Sequence, residues 1–454
     1  MLEYLENQTR LTGNQRRLLF VAILCDMLEF YDFFLIGFVL AFVAGSWKIT
    51  YGQSAIILLS SGIGAIFGAG LWGWLADRIG RRKVLIYSII NFSLATGILA
   101  LTPENGWIFL SIFRLFVGLG VGGLYCVILP LVQEFMPSSK RGVVSGLVTA
   151  AVPLGLGLGA VLGAQLGPIL GWRGLFAIGL LPALVILLVR AWMPESPHWL
   201  VQMGRYREAR ESLAWALQID PEKIPLPSTE MKPQEPVRWS ELFGYPRSLA
   251  ISWLGNLAAQ TGIYGLSLWA PTLLVQVLKI TPAHAASLMI ACSMSAFIGR
   301  IAFAYLSDTL GRRASGALFG FGAAVLIILA SYLRNDFLGM TSVFWLVLVV
   351  AYFFADGGFA IVGPYAAEVW PSRLRASGMG SAYGFGGIGK IIGPLGLAII
   401  VGSANIVKPE ASVAKIVPAF IYLGGWYALA GIVYGLFGIE TRHRSIAQID
   451  RELG

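Results

Sequence analysis

Two stretches half a chain apart decide the fold: GWLADRIGRRK (Gly73–Lys83) and AYLSDTLGRRA (Ala304–Ala314). Asp77, Gly80, Arg81 and Arg82 of the first align with Asp308, Gly311, Arg312 and Arg313 of the second. Each is a short basic turn between two apolar runs, met twice in equivalent places. A second pair repeats the pattern. PLVQEFMPSSKRGVVSG (Pro130–Gly146) and PYAAEVWPSRLRASGMG (Pro364–Gly380) share Pro130/Pro364, Glu134/Glu368, Pro137/Pro371, Ser138/Ser372, Arg141/Arg375 and Gly146/Gly380. The chain is internally duplicated.

Composition says what is duplicated. Of 454 residues 57% are hydrophobic and 13% charged, with a mean hydropathy of +0.73; a soluble chain carries about 25% charged residues. Apolar runs of about 20 residues recur throughout, each long enough to cross a hydrocarbon core about 30 Å thick. The expected spans are 18–44, 53–76, 84–102, 107–134, 143–166, 173–192, 248–277, 284–306, 315–333, 341–368, 376–401 and 416–438. The expected fold is an all-α membrane protein of 12 transmembrane helices in two pseudo-symmetric six-helix bundles. Residues 1–192 form the first bundle and 247–454 the second with a short tail. Between them lies a polar linker, 193–246, rich in Pro221, Pro225, Pro227, Pro233 and Pro236, with a short helix around Arg205–Leu217.

The 55 glycines suit helices that approach closely in lipid. Cys25, Cys126 and Cys292 lie in apolar runs and read as packing residues. No cleavable signal is expected at the N-terminus. The net charge of +9 comes from one set of loops: Arg16, Arg17, Arg78, Arg81, Arg82, Lys83, Lys140, Arg141, Arg312, Arg313, Arg373, Arg375, Arg442 and Arg444. The opposite loops hold little beyond Lys48, Lys279, Arg334, Lys408 and Lys415. The positive-inside rule puts both termini and the linker in the cytoplasm. The basic surplus is a topology signal, and no nucleic-acid partner is expected.

The chain resembles a major facilitator superfamily transporter over its whole length. Gly73, Asp77, Arg78, Gly80, Arg81, Arg82 and Lys83 meet the motif G-x-x-x-D-R-x-G-R-R-[KR]. Arg114, Gly118, Gly120 and Gly122 resemble the family's arginine-glycine pattern on the fourth span, and PESPHWL (Pro194–Leu200) is similar to the sugar-porter-like branch. Glu29-Phe30-Tyr31-Asp32-Phe33 looks like the E-W-Y-D-F signature of metabolite:proton symporters, and is similar in spacing to D-G-x-D of aromatic acid:proton symporters. Phe30 stands where one branch has Trp and the other Gly. The resemblance implies alternating access at the interface between halves, and proton coupling through Asp32 and Glu29.

The charges read in place agree with those roles. Asp77, Arg81, Arg82, Glu134, Arg141 and their repeats Asp308, Arg312, Arg313, Glu368 and Arg375 lie at one end of the helices. There they form a cytoplasmic gate, with Glu134–Arg141 and Glu368–Arg375 as matching latches, or they only enforce topology. Arg300, about 12 Å into the eighth span, reads as a gating or packing residue.

Asp26, Glu29 and Asp32 share a broad face of the first span at i, i+3, i+6. A charge at the membrane centre costs at least about 2.5–3.5 kcal/mol, so this face points into the bundle. Three acids this close do not all ionise together, which is the chemistry a proton-coupled carrier needs. Arg114, about 11 Å from the outer end of the fourth span, is within reach of Asp32; a static salt-bridge cluster is the alternative. Lys390 and Asp356 lie near mid-depth, Lys390 where aromatic acid symporters carry a basic residue. Lys390 reads as a carboxylate receptor, or as the structural partner of Asp356. Tyr31, Phe34, Tyr264, Trp269, Tyr383 and Phe385 are candidate cavity aromatics, with Asn256 and Gln260 as polar anchors.

The expected function is a proton-coupled symporter importing an organic anion, a small or aromatic carboxylate, in the cell membrane (inner or plasma) and working as a monomer. Carriage of neutral sugars or organic cations, export, and nutrient sensing are the competing readings. No catalytic residues are expected. No cofactor or metal is implied either: no P-loop or metal-spaced His/Cys cluster is present, and His198, His284 and His443 lie at or beyond span ends.

Overall fold

In a computed structural model, residues 3–6, 8, 10–226, 239–371 and 374–442 are described. Ser372 and Arg373 of the second repeat, Pro227, Pro233 and Pro236 of the linker, and His443, Arg444 and the rest of the tail lie outside them. Among the described residues, ten helices are long and apolar enough to cross a membrane: Tyr51–Ile79, Arg81–Leu99, Trp107–Glu134, Ser139–Gln165, Pro246–Leu278, Pro282–Thr309, Arg312–Tyr332, Val343–Glu368, Ser377–Val401 and Pro409–Phe437. The pair Gly167–Ile178 and Leu181–Trp192, bent by 44°, is an eleventh. The remaining long helix is Gly13–Val43, 31 residues with most of its length buried. Its acids lower its apolarity, yet it packs at the centre of the bundle. Taken in chain order with Gly13–Val43 first and the bent pair sixth, these are spans 1 to 12.

Local signals set the ends. Thr12 and Thr50 begin spans 1 and 2 with capping boxes closed by Gln15 and Gln53. Gly80 and Gly311, with φ of 103° and 95°, make the sharp turns into spans 3 and 9 that the repeated motif demands. Span 6 begins earlier than expected because Gly171, φ 65°, lets two short helices join across a turn. Span 10 is broken after Ala355 and resumes at Phe359, so Asp356 sits at a gap in the backbone ladder. Span 12 starts at Pro409, seven residues before the apolar run, with Pro in its first turn.

Spans 2 and 4 approach through Gly64 and Gly68 on one and Gly118 and Gly122 on the other; a methyl on any of them would overlap facing backbone. The expected linker helix runs Tyr206–Leu217 and is docked, not free. The carbonyls of Ala216 and Trp215 accept from Thr12 Oγ1 (2.5 Å) and Asn14 Nδ2 (2.8 Å).

The hydrogen bonds that cross between the two halves gather at mid-depth and at the end opposite the arginine clusters. There Tyr51 N donates to Asn405 O (2.9 Å), Gly52 N to Ser403 O (2.9 Å) and Val407 N to Ile49 O (3.0 Å). The Tyr51 and Ser412 hydroxyls meet as well. Backbone pairing of this kind seals that end. Toward the arginine-rich end, Gly142 and Gly146 of span 5 and Gly380 and Gly384 of span 11 face open space.

Candidate functional site

Span 1 carries Asp26, Glu29 and Asp32 into the interior, and all three are fully buried. Their surroundings differ. The Thr96 hydroxyl of span 3 lies 2.7 Å from both carboxylate oxygens of Asp32. Arg114, also fully buried, donates to main-chain carbonyls, Nη1 to Asp32 O (3.0 Å) and Nη2 to Phe33 O (2.7 Å). Arg114 thus stands beside Asp32 as the spacing predicts, but it grips the backbone of span 1 and makes no ion pair with the carboxylate. All four carboxylate oxygens of Asp26 and Glu29 lack a hydrogen-bond partner among the described residues. An ionised carboxylate left like this is costly.

Lys390 lies at the boundary between the halves, its stem against Gly62 of span 2, where a side chain would collide with it. Its ammonium sits 5.0 Å from the Tyr264 ring centre and 5.6 Å from that of Phe33. The two rings meet edge-on at 5.3 Å, and Phe34 stacks on Tyr264 at 5.9 Å. Spans 1, 7 and 11 therefore build an aromatic cradle around a half-buried cation. No described acceptor bonds the ammonium.

The other expected contacts separate. Asp356 is not the partner of Lys390. It takes Arg300 Nε (2.8 Å) and Nη2 (2.5 Å) in a buried ion pair, because the break in span 10 turns its carboxylate toward span 8. Arg300 Nη1 also reaches the Thr149 carbonyl in the other half. Trp269 is fully buried, stacked on Tyr51 at 5.4 Å and donating to Pro394 O (3.1 Å), so it belongs to the sealed end. Gln260 Nε2 donates to Asn256 Oδ1 (3.2 Å) one turn below Tyr264. Tyr31 is buried against span 5, its hydroxyl without a partner among the described residues. Tyr383 is half-buried, its hydroxyl near Gly363 of span 10, and Phe385 stacks on Trp253 at 4.8 Å. Cys25 and Cys292 are buried, but Cys126 is exposed and within electrostatic reach of Glu29 and Lys390; it lines space instead of packing it.

At the arginine-rich end the latches re-pair. Glu134 holds Arg81 and the Ser196 hydroxyl, not Arg141. Glu368 holds Arg312 (3.3 Å) and Thr441 (2.5 Å), not Arg375. Arg141 Nε instead closes the helix end at Gln133 O and Met136 O (both 3.1 Å), and Arg375 Nε does the same at Trp370 O (3.2 Å). Each arginine follows a turn whose orphan carbonyls it satisfies. Glu195 accepts Arg82 N (3.0 Å) and Glu440 accepts Arg312 N (2.9 Å), capping spans 3 and 9 in parallel. Asp308 pairs with Arg312 at 2.5 Å, Arg313 Nε donates to Gly435 O (2.8 Å), and Asp77 is exposed. Glu195/Ser196 and Glu440/Thr441 are thus a third repeated pair. Their short spacing to the ends of spans 6 and 12 was the available signal. Thr96 carried no signal beyond being polar in an apolar run, and Phe33 none beyond closing the Glu29–Phe33 signature stretch.

Residues 18–453 match the family described as sugar (and other) transporter. The chain belongs to that family. It is 31% identical over 389 residues to a niacin transporter of Acinetobacter baylyi, covering 83% of this chain and 85% of that one. It is 25% identical to the cis,cis-muconate transport protein of the same organism, across 97% and 98% of the two chains. In structure it is similar to the xylose transporter of E. coli, with a TM-score of 0.72 over 96% of this chain and 100% of the other at 18% identity. The protein is a multi-pass transporter of the major facilitator fold and not an enzyme.

Proposed function

We propose that this transporter imports a small aromatic or unsaturated carboxylate together with protons, and that Lys390 receives the carboxylate. One observation carries the reading: an ammonium cradled by Phe33 and Tyr264, half-open and unclaimed by any described carboxylate, within electrostatic reach of the orphaned Glu29. A planar anion satisfies both features at once, with its charge on Lys390 and its π-face on the rings. The relatives named for niacin and muconate transport support the same class. A cationic cargo would meet Lys390 as a repulsive charge.

Asp26, Glu29 and Asp32 are the proposed proton sites, with Arg114 and Thr96 positioning Asp32. Protonation removes the cost of burying the acids when the halves close on substrate. The arginine-rich end is assigned to the cytoplasm of a cell (inner or plasma) membrane by its basic loops, with both termini on that side. The sealed end then faces out, and the halves rock about the site as a monomer.

The test is uptake into proteoliposomes under an imposed pH gradient, with benzoate, nicotinate, xylose and a small amine as cargo. Carboxylate uptake is expected to rise as the external pH falls, because the loaded carrier closes protonated. Uptake of carboxylate indifferent to the gradient would end the symport reading. Glu29→Gln imitates permanent protonation: exchange of internal for external carboxylate is expected to continue while accumulation against a gradient is lost. Accumulation at the wild-type level would remove Glu29 from the proton path.

The open end has its own readout. Cys126 is expected to react with a membrane-impermeant maleimide only from the arginine-rich side, with saturating carboxylate slowing the reaction. Cys25 and Cys292 stay unlabelled in the folded protein. Labelling from the opposite face would reverse the assignment of the closed end.

A further inference from the structure

A second basic cavity lies away from Lys390, at the arginine-rich end of the N-terminal half. It measures about 250 Å³ and is lined by Arg81, Pro130, Gln133, Glu134, Arg141 and His198. Four segments converge on it: the start of span 3, the end of span 4, the first turns of span 5, and the helix Pro197–Gln202 that follows span 6. Its charges are unbalanced. Glu134 is the lone acid of the lining, and both its oxygens are taken, one by Arg81 and one by Ser196. Arg141 finds a side-chain carboxylate only at a long 3.4 Å from Glu6.

His198 supplies the independent sign. Its Nδ1 is buried and has no hydrogen-bond partner among the described residues. Burial and the positive charges of Arg81 and Arg141 hold the imidazole below the ordinary histidine range, so the cavity carries a positive potential. An orphaned ring nitrogen and two guanidiniums around one space suit an oxygen-rich anion. At about 30 Å³ per water, the volume exceeds what one or two waters fill.

We propose that this cavity is a binding site for a tetrahedral oxyanion, phosphate in free form or as a lipid headgroup, held between His198, Arg141 and Arg81. Such an anion ties spans 3 and 5 to the segment after span 6, within the N-terminal half. Arg forks suit tetrahedral oxyanions. The site is separate from the carboxylate receptor and does not depend on it.

Sulfate is the probe, added to the purified full-length transporter in detergent, with chloride at matched ionic strength as the reference. Thermal unfolding is expected to shift up by roughly 2 °C more in sulfate at ten times its Kd than in chloride. His198→Phe, which keeps the ring and removes both nitrogens, is expected to abolish the increment, as is Arg141→Gln. Lys390→Ala is expected to retain it, which separates this site from the transport site. An equal shift in chloride, or an increment surviving in both His198→Phe and Arg141→Gln, overturns the proposal. So does an increment lost only in Lys390→Ala. Nanodiscs distinguish the sources. If a lipid headgroup is the occupant, phosphatidic acid raises the midpoint of the wild type over phosphatidylcholine, and sulfate then adds nothing. If free phosphate is the occupant, the sulfate increment is the same in both lipids.

Discussion

Lys390→Ala is expected to weaken carboxylate uptake by at least about 30-fold in apparent affinity, the low end of what removing one partner of a desolvated charged contact costs. The ammonium stands at the junction of spans 1, 7 and 11, against Phe33 and Tyr264. Arg114 also lies over the Phe33 ring, at 5.9 Å, but its guanidinium is engaged by the carbonyls of Asp32 and Phe33. Truncation leaves the carboxylate with rings and no uncommitted positive charge. Lys390→Arg keeps the charge but replaces a compact ammonium by a planar fork that must fit over Gly62, so an intermediate loss is expected. The measurement is concentration-dependent uptake into proteoliposomes, with reconstituted protein quantified in each preparation. Wild-type half-saturation in Lys390→Ala would remove the receptor role. The fold would stand, because no described residue relies on the Lys390 side chain for a hydrogen bond.

Arg300→Ala carries the largest expected loss of stability. The Arg300–Asp356 pair is buried, with side chains 8% and 5% exposed, and its guanidinium also reaches the Thr149 carbonyl across the halves. Removing one partner strands a carboxylate in a low-dielectric interior and costs about 3–5 kcal/mol. Thermal unfolding in detergent should show a clear fall for Arg300→Ala and for Asp356→Ala. The double variant Arg300→Met with Asp356→Leu should recover most of it, since apolar groups of similar volume carry no desolvation debt. Single variants as stable as the wild type would show that water reaches the pair and that it does not tie the halves together.

These two lysine and arginine positions mark where sequence reading stopped. Both Lys390 and Arg300 were legible as deep charges, because a charge inside an apolar run is costly enough to need a reason. Partner choice was not. Depth along a helix axis gave Asp356 and Lys390 the same level, but level fixes only one of three coordinates. The break after Ala355 rotates Asp356 toward span 8, and no residue pattern announces the direction of that rotation. The same gap separates the expected Glu134–Arg141 latch from the Arg81–Glu134 pair that forms. Spacing along the chain favours the near arginine, whereas packing brings the far one.

The duplication, the twelve apolar stretches, the basic turns and the three acids on one face followed from residue order alone, because hydropathy and period act locally. Membership of the transporter family followed from the same motifs. What the tertiary structure decided was which groups meet. It set Phe33 and Tyr264 around Lys390, Thr96 against Asp32, Arg114 on the carbonyls of span 1, and the two Glu-Ser/Thr pairs over the ends of spans 3 and 9. Side chains from separate helices meet only after rotation and tilt about each axis are fixed. Those are set by close packing between glycine-lined faces, which is a property of pairs of helices and not of any one segment.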